Sequence, residues 1–326
     1  MTKLRDGIAQ NNFIIVGRAG IDFFTDPGVS IEDAERMTVD LGGSAANIGA
    51  GICKLGGKAA LVTRVSDDSV GSYCTKRLQH YGVETKYVST VGGEFRNSLA
   101  VYESVLETHR NVIYRNSAAD FEMSEEDVAA VSFADYGTLI TAGTVFAAEP
   151  SRSATFRAFE LAKAAGLPII FDVDYRPYSW PSREVASDVL SRAAAECDII
   201  VGNDEEFGFM AGDYDKGLEK ARSLSETTAE IVVYKMGGDG AITFANGEEI
   251  KTGIYPVDAL KPVGAGDSFM AGFITSLAAA HDLKTAILRG SACASITVSR
   301  PGCAPALPDT ATLDEFLATH SGPTEG

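Results

Sequence analysis

Short apolar runs alternate with helix-length stretches over most of this chain, and that alternation restricts the fold more than any other feature of the sequence. The runs at residues 13–16, 59–65, 138–141, 168–173, 199–201 and 231–235 read as strands. Between them, residues 45–55, 70–81, 151–165, 184–195, 204–211 and 218–224 read as helices. Several close on glycine (Gly56, Gly82, Gly166), the residue that best tolerates the left-handed turn after a helix. Strand and helix in succession imply a central, mostly parallel sheet covered by helices, so the expected class is α/β. Two segments break the rhythm. Residues 27–41 carry few helix cues, and 85–115 holds strand-like stretches at 98–106 and 111–115 around a polar turn at 107–110. Together they predict a small β layer inserted into the α/β body, and 321–326 reads as a disordered tail.

Composition narrows the function classes. The 326 residues allow one large α/β unit or two smaller ones, with 45% hydrophobic and 22% charged residues to build a sizeable core. Twenty-eight Lys and Arg against 45 Asp and Glu leave a formal charge of −17, which repels phosphate polymers and anionic lipid and argues against nucleic-acid or membrane-surface roles. Residues 1–12 mix Lys3, Arg5, Asp6, Gln10 and Asn12 and lack the apolar core of a signal peptide. The longest uncharged apolar-rich stretch, 268–280, is too short to span a bilayer, so a cytoplasmic location is expected. Five cysteines (Cys53, Cys74, Cys197, Cys293, Cys303) with no CxxC pair read as reduced, mostly buried small hydrophobes. There is no GxxxxGK[ST] loop and no GxSxG elbow, and His80, His109, His281 and His320 show no HExxH spacing.

The stretch 261–273, with Gly264-Ala265-Gly266-Asp267 running into an amphipathic helix, brings free backbone N–H groups and the positive helix end to one point where an anion can sit. A carboxylate at Asp267 repels a resting phosphate, yet it suits a reaction in which a hydroxyl loses its proton beside a phosphoryl group in transfer. The plainer reading is an acidic first-turn residue that complements the helix dipole. Gly264-Ala265-Gly266 also imitates a dinucleotide fingerprint, but Phe269 stands in the third glycine's place, which disfavours a dehydrogenase. Near the other end, Gly42-Gly43-Ser44-Ala45-Ala46-Asn47 leads into a helix. The glycine pair lets backbone approach a ligand, Asn47 offers a donor and an acceptor to sugar hydroxyls, and Ser44 otherwise reads as an N-cap. Asp22 follows the first strand, at the sheet edge where open α/β folds bind ligands. Arg115 and Arg176, each in a Tyr-Arg pair, offer planar donor forks that suit a carboxylate.

The Gly42 to Asn47 and Gly264 to Asp267 elements resemble the two signatures of the PfkB (ribokinase-like) family of carbohydrate kinases. Asn203-Asp204-Glu205-Glu206 and Lys235-Met236-Gly237-Gly238-Asp239-Gly240 resemble two further motifs of that family. The resemblance covers residues 13 to about 317. It implies a three-layer α/β sandwich, with residues 1–26, 42–84 and 116–320 as kinase body and 27–41 and 85–115 as a β-sheet lid. It implies ATP and Mg²⁺ as cofactors, Asp267 as the base, and the Gly264, Ala265, Gly266 amides as the anion hole. Asp22, Gly42, Gly43 and Asn47 are implied for the sugar, Asn203, Lys235, Gly237 and Gly240 for the nucleotide, and Glu206 for the metal through water. The sequences around Arg115 and Arg176 resemble the sugar-acid branch of the family, and most of all the group acting in inositol breakdown, so these two arginines are expected to hold the substrate carboxylate. A neighbouring sugar-acid group has a substrate-facing Tyr on the first lid strand, where this chain reads Leu99-Ala100-Val101. Another sugar kinase of the family, or a ligand-binding relative without turnover, are the alternatives. Many members bind a monovalent cation through an Asp and a Thr whose places are taken here by Lys261 and Val263, so the Lys261 ammonium is expected to substitute for that ion. The expected partners are a small-molecule sugar acid and ATP, with no nucleic acid or membrane, and a second copy of the chain through the lid.

Overall fold

The computed structural model describes residues 2–104 and 110–325. Its strands are β1 (Asn12–Val16), β2 (Gly20–Thr25), β3 (Met37–Gly42), β4 (Lys58–Ser66), β5 (Val88–Val91), β6 (Leu99–Tyr102), β7 (Asn111–Tyr114), β8 (Thr138–Ala142), β9 (Ile169–Asp172), β10 (Ile199–Asn203), β11 (Ile231–Lys235), β12 (Ala241–Ala245) and β13 (Glu248–Thr252). The helices are α1 (Thr2–Ala9), α2 (Ser44–Lys54), α3 (Ser69–His80), α4 (Glu125–Ala129), α5 (Ser151–Ala164), α6 (Arg183–Ala194), α7 (Asp204–Ala211), α8 (Gly217–Thr227), α9 (Ala265–Ala278), α10 (Leu283–Val298) and α11 (Thr310–Thr319).

Nine strands form one sheet in the order β13-β12-β11-β10-β9-β8-β1-β4-β5. From β11 to β5 all neighbours are parallel, and β12 and β13 extend the edge as an antiparallel hairpin. Both faces are covered, so successive residues of a strand enter different cores. Ile14 and Val16 pack with Phe146, Phe159 and Phe171 beneath α5 and α6, whereas Phe13 and Ile15 pack with Ile48, Met270 and Phe273 of α2 and α9. The second layer is tight because its helices carry small residues: a Cβ on Gly51 of α2 would lie 2.6 Å from the Ala271 Cβ of α9, and one on Gly272 would lie 2.6 Å from Cys293 Sγ of α10. Gly56, Gly82 and Gly166 close their helices at φ of 86°, 85° and 80°.

The strand order reverses between β1 and β8, a switch point at which parallel sheets open a crevice beyond their carboxyl ends. A four-stranded sheet, β3-β2-β6-β7, stands beside it, with β2 and β6 parallel and the outer pairs antiparallel. Its membership corrects two expected boundaries. Residues 20–25, read as body, form its strand β2, and Val88–Val91, read as lid, pair with β4 in the large sheet. Asp22, Tyr102, Asn111 and Ile113 share one face of the small sheet and line a cavity against the large one. The expected turn at 107–110 lies mostly outside the described residues, as does His109. The tail read as disordered is docked: Thr324 N–H donates to the Ile254 carbonyl at 2.7 Å, and Ile254 N–H donates to Thr324 Oγ1 at 3.0 Å. No helix among the described residues is long and apolar enough to cross a membrane.

Candidate active site

The cavity, about 640 Å³, collects side chains from the carboxyl ends of β1, β9, β10 and β11 and from the first turns of α2 and α9. At α9, Gly264 takes the N-cap position with φ 84°, a left-handed conformation that glycine adopts without a Cβ penalty. The turn leaves the Gly266 and Asp267 amides without a described acceptor, at the positive end of a 14-residue helix. Ser268 anchors the same turn by donating its hydroxyl to the Cys293 carbonyl at 2.9 Å.

Asp267 projects from that turn and accepts from Asn47 Nδ2 at 2.9 Å, so α2 and α9 present one shared polar pair. Burial raises the Asp267 carboxyl to about 6, the negative charge of Asp174 adds to the rise, and Asn47, Arg176 and Lys235 oppose it. Ser44 is not the N-cap of α2: its hydroxyl donates to Asp174 Oδ2 at 2.6 Å, and Gly43 holds the cap position with φ 99°. The glycine pair also has a different reason from the expected one. A Cβ on Gly42 would lie 2.0 Å from Asp22 Oδ1, and one on Gly43 would lie 2.4 Å from the Arg18 carbonyl, so the missing side chains make room for protein atoms. Gly43 lines the cavity; Gly42 lies behind it, against Asp22. Asp22 is buried, its Oδ1 has no partner among the described residues, and burial raises it to about 7 against the pull of Arg18.

The other wall follows β9 to β11. Asp172 is pushed well above the usual carboxylate range by burial, with Glu206, Asp174 and Asp267 adding to the rise and Lys235 opposing it. Asp174 has φ 35° and holds Arg176 Nη2 at 2.7 Å. Burial works against its charge, but Arg176, the Ser44 hydroxyl and Arg18 outweigh burial and keep it below the usual range. Asn203 and Glu206 form a capping box at α7, the Asn203 side chain accepting from Glu206 N–H and Glu206 Oε2 accepting from Asn203 N–H, each at 2.8 Å. Glu206 Oε1 accepts from Tyr175 N–H at 3.2 Å, which ties the β9 and β10 ends together. Lys235, Gly237 and Gly240 line the cavity at the end of β11, and a Cβ on Gly266 would lie 3.5 Å from Lys235 Nζ.

Arg115 does not reach the cavity. Its guanidinium is closed on Asp120 and on the Thr144 carbonyl and lies over the Phe121 ring at 4.0 Å. Tyr102, one residue beyond the Leu99-Ala100-Val101 stretch, does line the cavity, so β6 carries an inward tyrosine after all. Arg18, Asp172 and Asp174 also line it and were not singled out from sequence. Arg18 lies four residues before Asp22, and Asp174 sits two before Arg176; adjacency was the only available signal. Lys261 is 3% exposed and donates to the Val263 carbonyl at 2.7 Å and the Thr297 carbonyl at 3.2 Å, beside the α9 turn rather than out to solvent. Four of the cysteines are buried and all five are free, with Cys303 in the cavity wall.

Residues 11–310 match the model of the pfkB family carbohydrate kinases. The chain belongs to the pfkB family. A 5-dehydro-2-deoxygluconokinase of Geobacillus kaustophilus (strain HTA426) is 35% identical over 315 residues, 95% of this chain and 94% of the relative. A fructokinase of Xylella fastidiosa with bound ATP superposes with a TM-score of 0.84 at 20% identity, covering 95% of this chain and 98% of that one. A fructokinase double mutant of Vibrio cholerae O395, bound to fructose, ADP and potassium, superposes with a TM-score of 0.82 at 23% identity over 94% of this chain and 98% of that one. This pfkB protein is an ATP-dependent carbohydrate kinase with the ribokinase-like fold.

Proposed function

We propose that this kinase transfers the γ-phosphoryl group of ATP to the primary hydroxyl of 5-dehydro-2-deoxy-D-gluconate, giving the 6-phosphate. The observation that carries the reading is Asp267, a carboxylate of near-neutral affinity for a proton, set on the amide-lined first turn of α9 in a cavity that also holds arginines. Asp267 accepts the hydroxyl proton as the sugar oxygen bonds to the γ-phosphorus and the bond to the ADP oxygen breaks, and the Gly266 and Asp267 amides take up charge on the transferring group. Asn47 holds the base in place; Asp22 and the Gly43 backbone face sugar hydroxyls, Arg176 stands at the mouth of the sugar end, and Asn203, Lys235, Gly237 and Gly240 face the nucleotide. Both Glu206 oxygens already accept backbone N–H groups, and no group of three candidate ligands occurs among the described residues. Glu206 therefore fits magnesium held through water, which would offset charge on the phosphates. The buried Lys261 ammonium, fixed on two carbonyls beside the anion hole, acts as a tethered monovalent cation. The outer face of the small sheet pairs two copies of the chain.

The 35% identity to a 5-dehydro-2-deoxygluconokinase over nearly its whole length supports the choice of substrate. Tyr102 favours one second reading, 2-keto-3-deoxygluconate, because the tyrosine that reading asks for is present on β6. An ATP-coupled assay over a panel of sugar acids and neutral sugars, with the product identified by phosphorus NMR, is expected to give the highest kcat/KM for 5-dehydro-2-deoxygluconate. A higher value for 2-keto-3-deoxygluconate would establish the second reading, and binding without transfer to any sugar would remove both.

A further inference from the structure

A sugar acid differs from a neutral sugar by one anionic group, and recognising it in a cavity requires a cation that protein carboxylates have not already neutralised. Three arginines surround the sugar end of this site, and their partners differ. Arg115 is closed on Asp120 and the Thr144 carbonyl. Arg176 is 46% exposed, pairs with Asp174 at 2.7 Å and stands 3.9 Å from Glu206, so two carboxylates offset its charge. Arg18 is 8% exposed and lines the cavity, yet no carboxylate lies within 4.0 Å of it among the described residues. Of its nitrogens, Nη1 donates to the neutral Ser98 hydroxyl at 2.8 Å, and the buried Nε has no partner among the described residues.

A buried guanidinium left with a single neutral hydroxyl is costly unless an anion completes it. Asp22, the nearest carboxylate in sequence, feels the Arg18 charge but forms no ion pair with it, and its buried Oδ1 has no partner among the described residues. Asp120, Asp22 and Asp174 act on Arg18 from beyond 4.0 Å, yet none of them takes up its donors among the described residues, so the remaining donors are left for a ligand. Arg18 is also held in place. Its carbonyl accepts from the Ala46 N–H of α2 at 3.2 Å, close against Gly43, and a Cβ on Gly20 would lie 3.1 Å from Nη1 and 2.7 Å from Ser98 Oγ, so glycine there keeps the guanidinium's space open. We propose that Arg18 is the residue that binds the substrate carboxylate and selects sugar acids over neutral sugars. This rests on the sugar-acid reading above, with Arg176 guarding the mouth of the same cavity and Arg115 serving the fold.

The test compares each sugar acid with the neutral analogue that carries a primary alcohol in place of its carboxylate. In the parent enzyme the acid is expected to be preferred. Arg18→Gln is expected to raise KM for the acid by about tenfold to 150-fold, the range of a lost charge-assisted pair, with the neutral analogue and the KM for ATP changed less than threefold. Arg18→Lys, which keeps the charge and loses the fork, is expected to fall between them. An equal loss for acid and neutral substrates in Arg18→Gln would make the residue structural and overturn the proposal while leaving the sugar-acid reading intact. If Arg18→Gln does not fold, Arg18→Lys and the parent decide: a parent that uses the neutral analogue as well as the acid overturns the proposal. A parent that prefers neutral sugars outright overturns the sugar-acid reading as well.

Discussion

Asp267 combines two properties that a single variant can separate. Its carboxyl is raised to about 6, above the value of 3.8 expected in the unfolded chain, so the folded protein binds that proton more tightly and the ionised group costs stability once the pH exceeds that interval. Asp267→Asn keeps the shape and removes both the proton acceptor and the charge. Turnover is expected to fall at least ~10²-fold while the melting temperature at pH 8 stays level or rises; turnover within tenfold of the parent would remove the base assignment. In the parent, kcat/KM should fall about tenfold per pH unit below about 6, as Asp267 takes up its proton, and this limb should be absent from the residual activity of the variant. Lys261 supplies the second test at this scale. With its ammonium fixed on the Val263 and Thr297 carbonyls, the initial rate at constant ionic strength should be the same in K⁺, Na⁺ or a bulky organic cation, and Lys261→Met should lower turnover. A tenfold stimulation of the parent by K⁺ would show that an inorganic cation is still required.

The junction of β3 and α2 shows how a residue that does not line the cavity still shapes it. Gly42 stands behind Asp22, where a Cβ would come within 2.0 Å of Oδ1. Gly42→Ala is therefore expected to displace the Asp22 carboxylate and raise the KM for the sugar about tenfold or more, with the KM for ATP unchanged. Equal changes in both constants would mean that the turn supports the whole cavity. The glycine pair was legible in the sequence as a place of close approach, but what approaches it was not. Helix and strand spans were legible because hydrophobic period, glycine stops and caps are local, and residues 204–211 match α7 from end to end. The same locality explains the misplacement of β5: its pairing with β4 joins residues far apart in the chain, and four residues of modest burial carry no periodic mark of which sheet they enter.

Across the whole molecule, the small sheet has two unlike faces. Asp22, Tyr102, Asn111 and Ile113 look into the cavity, while the register aligns Val39, Phe23, Val101 and Val112 in a row across all four strands of the other face, with Met37 and Tyr114 exposed beside it. An apolar row of this kind on a chain of charge −17 suits a second copy of the same sheet. Light scattering is expected to give a dimer for the parent and a monomer for the double variant Val39→Lys and Val112→Lys; identical masses for the two would exclude this face. The α/β class, the helix-start turn at Gly264 to Asp267 and the acidic surface could be read from the residues alone, whereas the bond from Asn47 to Asp267, across 220 positions of the chain, could not. The first three depend on local pattern or on residue types that few other chemistries use. Which arginine keeps donors for a ligand depends on the folded contacts. Arg18, Arg115 and Arg176 are the same side chain in sequence, and folding gives them different carboxylates at ion-pair distance: Asp120 to Arg115, Asp174 and Glu206 to Arg176, and to Arg18 none within 4.0 Å among the described residues. Charge availability is a property of pairs, and pairs are made by the fold.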